Sequence, residues 1–190
     1  MKTLAEWVQV EKGVEGEAVP HTGLVVDNLI AAWGGIPCAE LSVVLVHLRY
    51  LTFVHQTHHW TAKGDPFFGD HKLFEQLYDQ VVEDIDTVAE KAVGLGNEQN
   101  VNMMLQIKQL GTLCNAYGSP QTVPHSNDLA KTSLIAEWNF LKIVKIAEDS
   151  MKQNDTWTPG VSNMLQGLFD IHEKHIYLLK RRCSAATLGF

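Results

Sequence analysis

Apolar residues recur every three or four positions along four long stretches of the chain, and this spacing predicts four amphipathic helices. The stretches cover residues 37–64, about 69–93, about 126–153 and about 161–182. Turn-forming residues separate them, since Gly64 follows the first stretch and Pro159 precedes the last. No alternation typical of a β-strand persists along the chain, so the sequence predicts an all-α fold.

The connection between the second and third stretches is about 30 residues long, which is more than a bare loop requires. A weaker apolar pattern at residues 98–116 predicts a short extra helix within this connection. A long crossover of this kind is typical of the ferritin-like four-helix bundle, so we expect that fold. The sequence thus divides into an N-terminal extension (residues 1–36) with at most a short helix at 25–33, the bundle (37–182) and a C-terminal tail (183–190).

Composition narrows the class of protein. A chain of 190 residues with a 45% hydrophobic fraction is typical of one soluble globular domain. Its formal net charge of −7 argues against a general nucleic-acid binder and suits a protein that attracts cations. The three cysteines show no paired spacing, and the chain has neither a secretory signal nor a membrane-spanning apolar run. We therefore expect a cytoplasmic protein.

Acidic and histidine side chains form two pairs on the second predicted helix. His71 and Glu75 are four residues apart, as are Asp86 and Glu90, so each pair projects from one helical face. The pairs lie roughly 16 Å apart along the helix axis, whereas two metal ions in a reactive site are only about 3.5–4 Å apart. One chain cannot close such a site with both pairs. A two-fold partner with an antiparallel helix could, by placing its Asp86/Glu90 end against this chain's His59/His71 end.

The usual ligand motif of a metal site inside one bundle is Glu-x-x-His on two helices. None of the nine histidines has a glutamate three positions before it. We therefore expect no ligand set within a single chain. This expectation disfavours one alternative, a di-iron enzyme of the ferritin fold that acts on an organic substrate.

The motif around these pairs closely resembles the signature of the Dps proteins, the DNA-binding proteins from starved cells. The resemblance covers about 40 residues and rests on these positions: His59-Trp60, Gly64, Phe68, His71, Glu75, Asp86, Ala89-Glu90 and Leu95-Gly96. The predicted helices extend it over residues 37–182. Glu75 departs from the commonest pattern, which has aspartate there, and the first 36 residues have no counterpart.

The resemblance implies a ferroxidase centre between two-fold-related subunits. His59, with the partner subunit's Asp86 and the partner subunit's Glu90, would hold the tighter iron, and His71 with Glu75 would hold or water-bridge a second one. Trp60 would take up stray oxidising equivalents. The implied activity is oxidation of Fe(II), with hydrogen peroxide preferred over oxygen. The ferric mineral would be stored in a hollow shell of twelve subunits that protects the cell from oxidative damage.

The resemblance does not fix the roles of several other residues. His55 and His58 are expected to support the site or an interface, and the His172/His175 pair to be packed or at the surface, although it could add a ligand. Acidic residues near the start of the last helix could line an iron-entry pore; the candidates are Glu148, Asp149 and Asp155.

DNA binding is expected to be weak or absent. Near the N-terminus, only Lys2 and Lys12 oppose four glutamates, and the basic cluster at residues 180–182 is expected to cap a helix C-terminus. The alternative function is a DNA-condensing architectural protein with a vestigial iron site.

Overall fold

The computed structural model describes residues 22–117 and 126–183, and this part of the chain contains α-helices, one short 3-10 helix and no strand. The helices are α1 (Thr22–Ala31), α2 (Ala39–Thr61), α3 (Phe67–Leu95), the 3-10 helix (Glu98–Val101), α4 (Met103–Tyr117), α5 (Ser126–Gln153) and α6 (Pro159–Arg182). The prediction of an all-α fold with an extra helix in the long connection is confirmed. None of the helices described is both long and apolar enough to cross a membrane.

Helices α2, α3, α5 and α6 form the bundle. Helix α2 packs most extensively against α3 and also against α5, while α5 packs against α6. Much of α2 is enclosed, because both apolar and polar side chains along it are buried. Helix α3 is amphipathic and has one acidic outer face. Helix α2 is therefore largely enclosed by its neighbours, whereas α3 keeps a long polar stripe on the surface.

The turn after α3 is held against the start of α2. Asn100 donates through Nδ2 to the backbone carbonyl of Pro37 at 2.8 Å and to Ser42 Oγ at 3.0 Å. A Cβ atom at Gly96 would lie 2.6 Å from the same Pro37 carbonyl oxygen and 2.2 Å from Asn100 Oδ1. Only glycine permits this close approach, which gives the Leu95-Gly96 pair of the motif a structural reason.

The short helix predicted at residues 25–33 is present as α1, and it packs on the bundle. Val26, Leu29 and Trp33 are buried in the same core as the bundle helices. Trp33 Nε1 donates to Gln109 Oε1 at 2.9 Å, and Gln109 Nε2 donates to the carbonyl of Leu29 at 2.8 Å. The apolar core therefore includes part of the predicted extension.

The end of α6 is tied to the start of α3. Arg182 donates through Nε and Nη2 to the two carboxylate oxygens of Asp70, the second contact being 2.8 Å. Asp70 is 1% exposed, and it precedes His71 directly. The pair thus fixes the position of the first turn of α3, from which His71 projects.

Loss of the arginine is expected to leave a buried carboxylate without this partner. We expect Arg182→Ala to lower the free energy of unfolding by about 2 kcal/mol, somewhat less than for a fully buried pair because Arg182 is partly exposed. Urea unfolding of Arg182→Ala, compared with the double variant Asp70→Asn/Arg182→Ala, measures this. The double variant should recover part of the loss. Equal stability of Arg182→Ala and the wild type would contradict the prediction.

Candidate metal centre

His59, at the end of α2, and His71, at the start of α3, lie side by side. Their ring centroids are 3.8 Å apart and the rings are nearly parallel. Each ring is held by the other residue's backbone, since His59 Nδ1 donates to the His71 carbonyl at 2.8 Å and His71 Nδ1 donates to the His59 carbonyl at 3.0 Å. A carbonyl only accepts, so both Nδ1 atoms carry the proton. In the neutral rings, both Nε2 atoms then keep the lone pair that binds a metal.

Glu75 lies one turn after His71 on α3 and is partly exposed. Its Oε2 accepts a hydrogen bond from Lys72 Nζ at 2.6 Å. This hydrogen bond, together with the charges of Lys72 and the nearby imidazoles, lowers the pKa of the Glu75 carboxyl below its ordinary value. The structure therefore brings together three of the five predicted ligands, two imidazoles and one ionised carboxylate.

Asp86 and Glu90 are exposed further along the same helix. They continue the surface stripe of α3 that begins at Glu75, with the half-exposed Val82 between the two ends. At 1.5 Å per residue, Glu75 and Asp86 are roughly 16 Å apart along the helix axis. The structure thus leaves these two carboxylates apart from the histidines of their own chain. Trp60 is 67% exposed beside His59 in the sequence.

A second group of side chains lies inside the bundle. His55 of α2, Glu137 of α5, and His172 and His175 of α6 are all buried, and Asp84 of α3 is 4% exposed. Glu137 is the centre: its Oε1 accepts from His55 Nε2 at 2.7 Å and from His175 Nδ1 at 3.0 Å, and its Oε2 accepts from His172 Nδ1 at 2.5 Å. We call these five residues the bundle cluster.

The charges inside the bundle cluster depend on one another. Burial by itself raises the pKa of Glu137, but the charge of His172 and the hydrogen bonds from three imidazoles hold it well below its ordinary value. Burial lowers the pKa of His172, yet the carboxylates of Glu137 and Asp84 outweigh it and raise that pKa to about 9. Burial lowers the pKa of His55. Without a metal, the centre of the cluster is therefore an ion pair of Glu137 and protonated His172 at neutral pH.

The expectation that one chain lacks a set of metal-binding side chains is wrong. Glu137, His172 and His175 offer ligand atoms within 4.8 Å of one another. The Glu-x-x-His motif does not describe this set, because α6 carries His-x-x-His and the glutamate lies on α5. Glu137 stands among the apolar residues of α5, and a charged residue on a buried face was the signal available in the sequence.

The structure also places His58 and the three pore candidates. His58, expected to support the site or an interface, is buried, and its Nδ1 lies 2.8 Å from Ser133 Oγ. Of the pore candidates, Glu148 is paired with Lys152 at 2.7 Å and Asp149 with Lys145. Asp155 is exposed after α5 with a positive φ of 58°. Their role at a pore stays a prediction.

Two relatives of similar sequence are DNA protection during starvation proteins. No model of a known protein family matches the sequence. The DNA protection during starvation protein 2 of Bacillus anthracis is 27% identical over 122 residues, which are 64% of this chain and 79% of that protein. The DNA protection during starvation protein of Brevibacillus brevis is 24% identical over 124 residues, or 64% of this chain and 77% of that protein.

A solved structure of a Dps protein also has a fold similar to that of this chain. The crystal structure of a Dps protein from Bacillus brevis superposes with a TM-score of 0.64 at 18% identity, and the match covers 83% of this chain and 95% of that chain. The chain is therefore similar in sequence to Dps proteins and shares their fold. The ferritin-like fold expected from the crossover is thereby confirmed. Of the predicted ligands, Asp86 and Glu90 are exposed, His71 and Glu75 are partly exposed and His59 is buried at 8% exposure, whereas the bundle cluster lies in the core.

Proposed function

We propose that this protein is a Dps-type mini-ferritin that oxidises Fe(II), preferentially with hydrogen peroxide, between two-fold-related subunits. It stores the ferric product as mineral in a hollow dodecamer and protects the cytoplasm from oxidative damage. The observation that carries this proposal is the paired arrangement of His59 and His71. Each backbone carbonyl fixes the other ring's tautomer, so both Nε2 atoms keep the lone pair that binds a metal. We call His59, His71, Glu75, Asp86 and Glu90 the surface site.

The complementary half of the site comes from a partner. Two imidazoles and Glu75 supply too few anionic ligands for two Fe(II) ions, which favour mixed nitrogen and oxygen donors. Asp86 and Glu90 supply the missing carboxylates, and both are exposed. An antiparallel partner helix places the partner subunit's Asp86 against His59, and Val82, 50% exposed in the middle of the stripe, becomes covered at the interface.

The two irons and the peroxide are substrates. Each Fe(II) gives one electron, the O–O bond of hydrogen peroxide breaks, and the two oxygens take up two protons from solvent and leave as two water molecules. Two irons side by side supply both electrons together, so no hydroxyl radical is released. The chain's own part is to hold the irons with His59, His71 and Glu75 and with the partner's carboxylates. Trp60, exposed beside His59, is placed to take up a stray oxidising equivalent.

The test is anaerobic mixing of the purified protein with Fe(II) and hydrogen peroxide. We expect ferric absorbance to rise much faster than in a protein-free control, with about two Fe(II) consumed per peroxide and no hydroxyl radical in a spin trap. A Trp60→Phe variant should keep the iron oxidation rate but show more oxidative damage elsewhere in the chain. A wild-type rate equal to the protein-free rate would overturn the proposal.

DNA binding by this protein is expected to be weak. In the described part of the C-terminal region, Arg182 is paired with Asp70, and Lys180 Nζ lies 5.1 Å from the centre of the Trp138 ring. These contacts leave little of the basic cluster for phosphates, whose binding depends on clustered cations. A gel shift with duplex DNA at moderate salt should show no stable complex. Tight, salt-resistant retention would contradict this prediction and favour the DNA-condensing alternative.

A further inference from the structure

The bundle cluster is the strongest unassigned feature of the molecule. All four bundle helices contribute to it: His55 from α2, Asp84 from α3, Glu137 from α5, and His172 and His175 from α6. We infer that it is an internal metal site, within one chain, for a divalent first-row transition metal ion. Glu137, His172 and His175 are its ligands, and His55 and Asp84 complete it.

The donor spacing fits a coordination shell. Ligand atoms bonded at about 2.1 Å to one metal lie roughly 3.0–3.4 Å from one another at octahedral or tetrahedral angles. In the structure, the nitrogens of His55 and His175 lie 2.7 Å and 3.0 Å from Glu137 Oε1. The ligand atoms of Glu137, His172 and His175 all lie within 4.8 Å of one another. Small rotations of these side chains therefore suffice to surround an ion.

Two buried atoms without hydrogen-bond partners favour a metal site over a purely structural hydrogen-bond network. His172 Nε2 and Asp84 Oδ2 are both buried and form an ion pair at 3.3 Å, yet neither has a hydrogen-bond partner. A buried polar atom without a hydrogen bond is destabilising. A metal ion bound to His172 would replace the ring proton as the positive charge that balances Asp84. The donor types, imidazole and carboxylate, are those that Fe(II), Mn(II) and Zn(II) accept.

A hydroxyl outside the cluster is placed to orient one of its histidines. Ser133 Oγ lies 3.2 Å from His55 Nδ1 and 2.8 Å from His58 Nδ1. If His55 binds a metal through Nε2, its proton moves to Nδ1, which then donates to Ser133, and Ser133 can donate onward to His58. A hydrogen bond on the second ring nitrogen is the usual support of a metal-binding histidine.

The internal site does not depend on the proposed function. None of its residues belongs to the set formed by His59, His71, Glu75, Asp86 and Glu90, and no partner subunit contributes to it. The experiment therefore uses His59→Ala/Asp86→Ala, a variant in which each half of the surface site has lost a ligand. Binding that persists in this variant and is weakened by adding Glu137→Gln is assigned to the bundle, whatever the iron chemistry at the interface.

Co(II) is the probe, because its visible absorption reports bound nitrogen and oxygen ligands. The His59→Ala/Asp86→Ala protein is stripped by prolonged dialysis against EDTA and titrated with Co(II). We expect one Co(II) per chain and a rise in Tm. Adding Glu137→Gln should weaken binding by more than the roughly 10–100-fold that loss of an outer hydrogen-bond partner costs. Adding Glu83→Gln, an exposed carboxylate of α3, is the matched control and should leave binding unchanged.

A second variant keeps the experiment decisive if Glu137→Gln does not fold. In that case His175→Gln is tested in the same background. In addition, X-ray absorption on the His59→Ala/Asp86→Ala protein loaded with one equivalent of Zn(II) should show at least two imidazole ligands. Any one of three results would overturn the inference. The His59→Ala/Asp86→Ala protein could fail to bind Co(II), it could bind Co(II) equally well after Glu137→Gln or His175→Gln is added, or it could bind zinc without imidazole ligands.

Discussion

Two inactive variants are expected to regain iron oxidation when their chains are combined. His59→Ala/His71→Ala removes the imidazole half of the surface site, and Asp86→Ala/Glu90→Ala removes the carboxylate half. Each variant alone should lose at least about 100-fold in the rate of Fe(II) oxidation, because a metal-assisted reaction fails once its metal is no longer held. Together they should recover a substantial fraction of the wild-type rate.

The recovery follows from the symmetry of a shared site. In a mixed two-fold dimer, one site receives both intact halves and the other receives both altered halves. With random pairing, half of the dimers are mixed and half of their sites are intact, so about a quarter of all sites work. A site built within one chain gives no recovery, since every chain lacks one half of it.

The measurement is ferric absorbance after co-refolding the two variants in equal amounts. Circular dichroism and size-exclusion chromatography must first show that each variant folds and assembles as the wild type does. A matched control combines wild-type chains with a quadruple variant that carries all four alanines. There, mixed dimers contain no intact site, and activity comes from wild-type pairs alone. No recovery in mixtures that demonstrably contain mixed dimers would exclude a shared site.

The helices were predictable because periodicity is a local property. The four long stretches lie close to α2, α3, α5 and α6, and the short extra helix is present as α4. The ends differ by a few residues where caps decide them: α2 begins at Ala39 instead of Pro37, after Cys38 takes a positive φ of 56°. The face shared by His71, Glu75, Asp86 and Glu90 was predictable in the same way, since fixed spacings on one helix define it, and its role as a metal site stays a prediction.

The bundle cluster was not predictable from spacing, because its contacts join distant parts of the chain. His55 and Glu137 are 82 residues apart in sequence, and only the packing of α2 against α5 brings them within 2.7 Å. The sequence shows the pair His172 and His175 on α6, and the apolar pattern of the helix predicts which of its faces is buried. The pattern does not predict which side chains of the other helices pack against that face, because those contacts depend on the tertiary fold.

The N-terminal segment is a second case in which the sequence pattern does not predict a tertiary contact. Glycine-rich composition predicted an extension with at most a short helix, and the helix itself is confirmed. Composition did not reveal that Trp33 would be 1% exposed. A single large aromatic residue carries no periodicity, so its burial depends on whether the bundle offers a space for it. Here that space lies beside α4, where Gln109 accepts the indole hydrogen.

Trp33→Ala is expected to be among the most destabilising single substitutions outside the bundle. Removing a fully buried tryptophan costs about 3–5 kcal/mol through lost burial and the cavity that remains. It also leaves the buried Gln109 Oε1 without the indole donor. Trp33→Phe is the matched control, because it retains much of the ring volume and loses the hydrogen bond, so it should cost about 1–3 kcal/mol.

Urea unfolding at one fixed protein concentration compares the three proteins, since subunit association contributes to apparent stability. A loss below about 1 kcal/mol for Trp33→Ala would show that residues 22–36 are an appendage of the bundle, as the predicted boundary after residue 36 implies. The expected loss would instead make α1 part of the folding unit. The wild-type core would then extend from Val26 to the end of α6, with the bundle cluster enclosed within it.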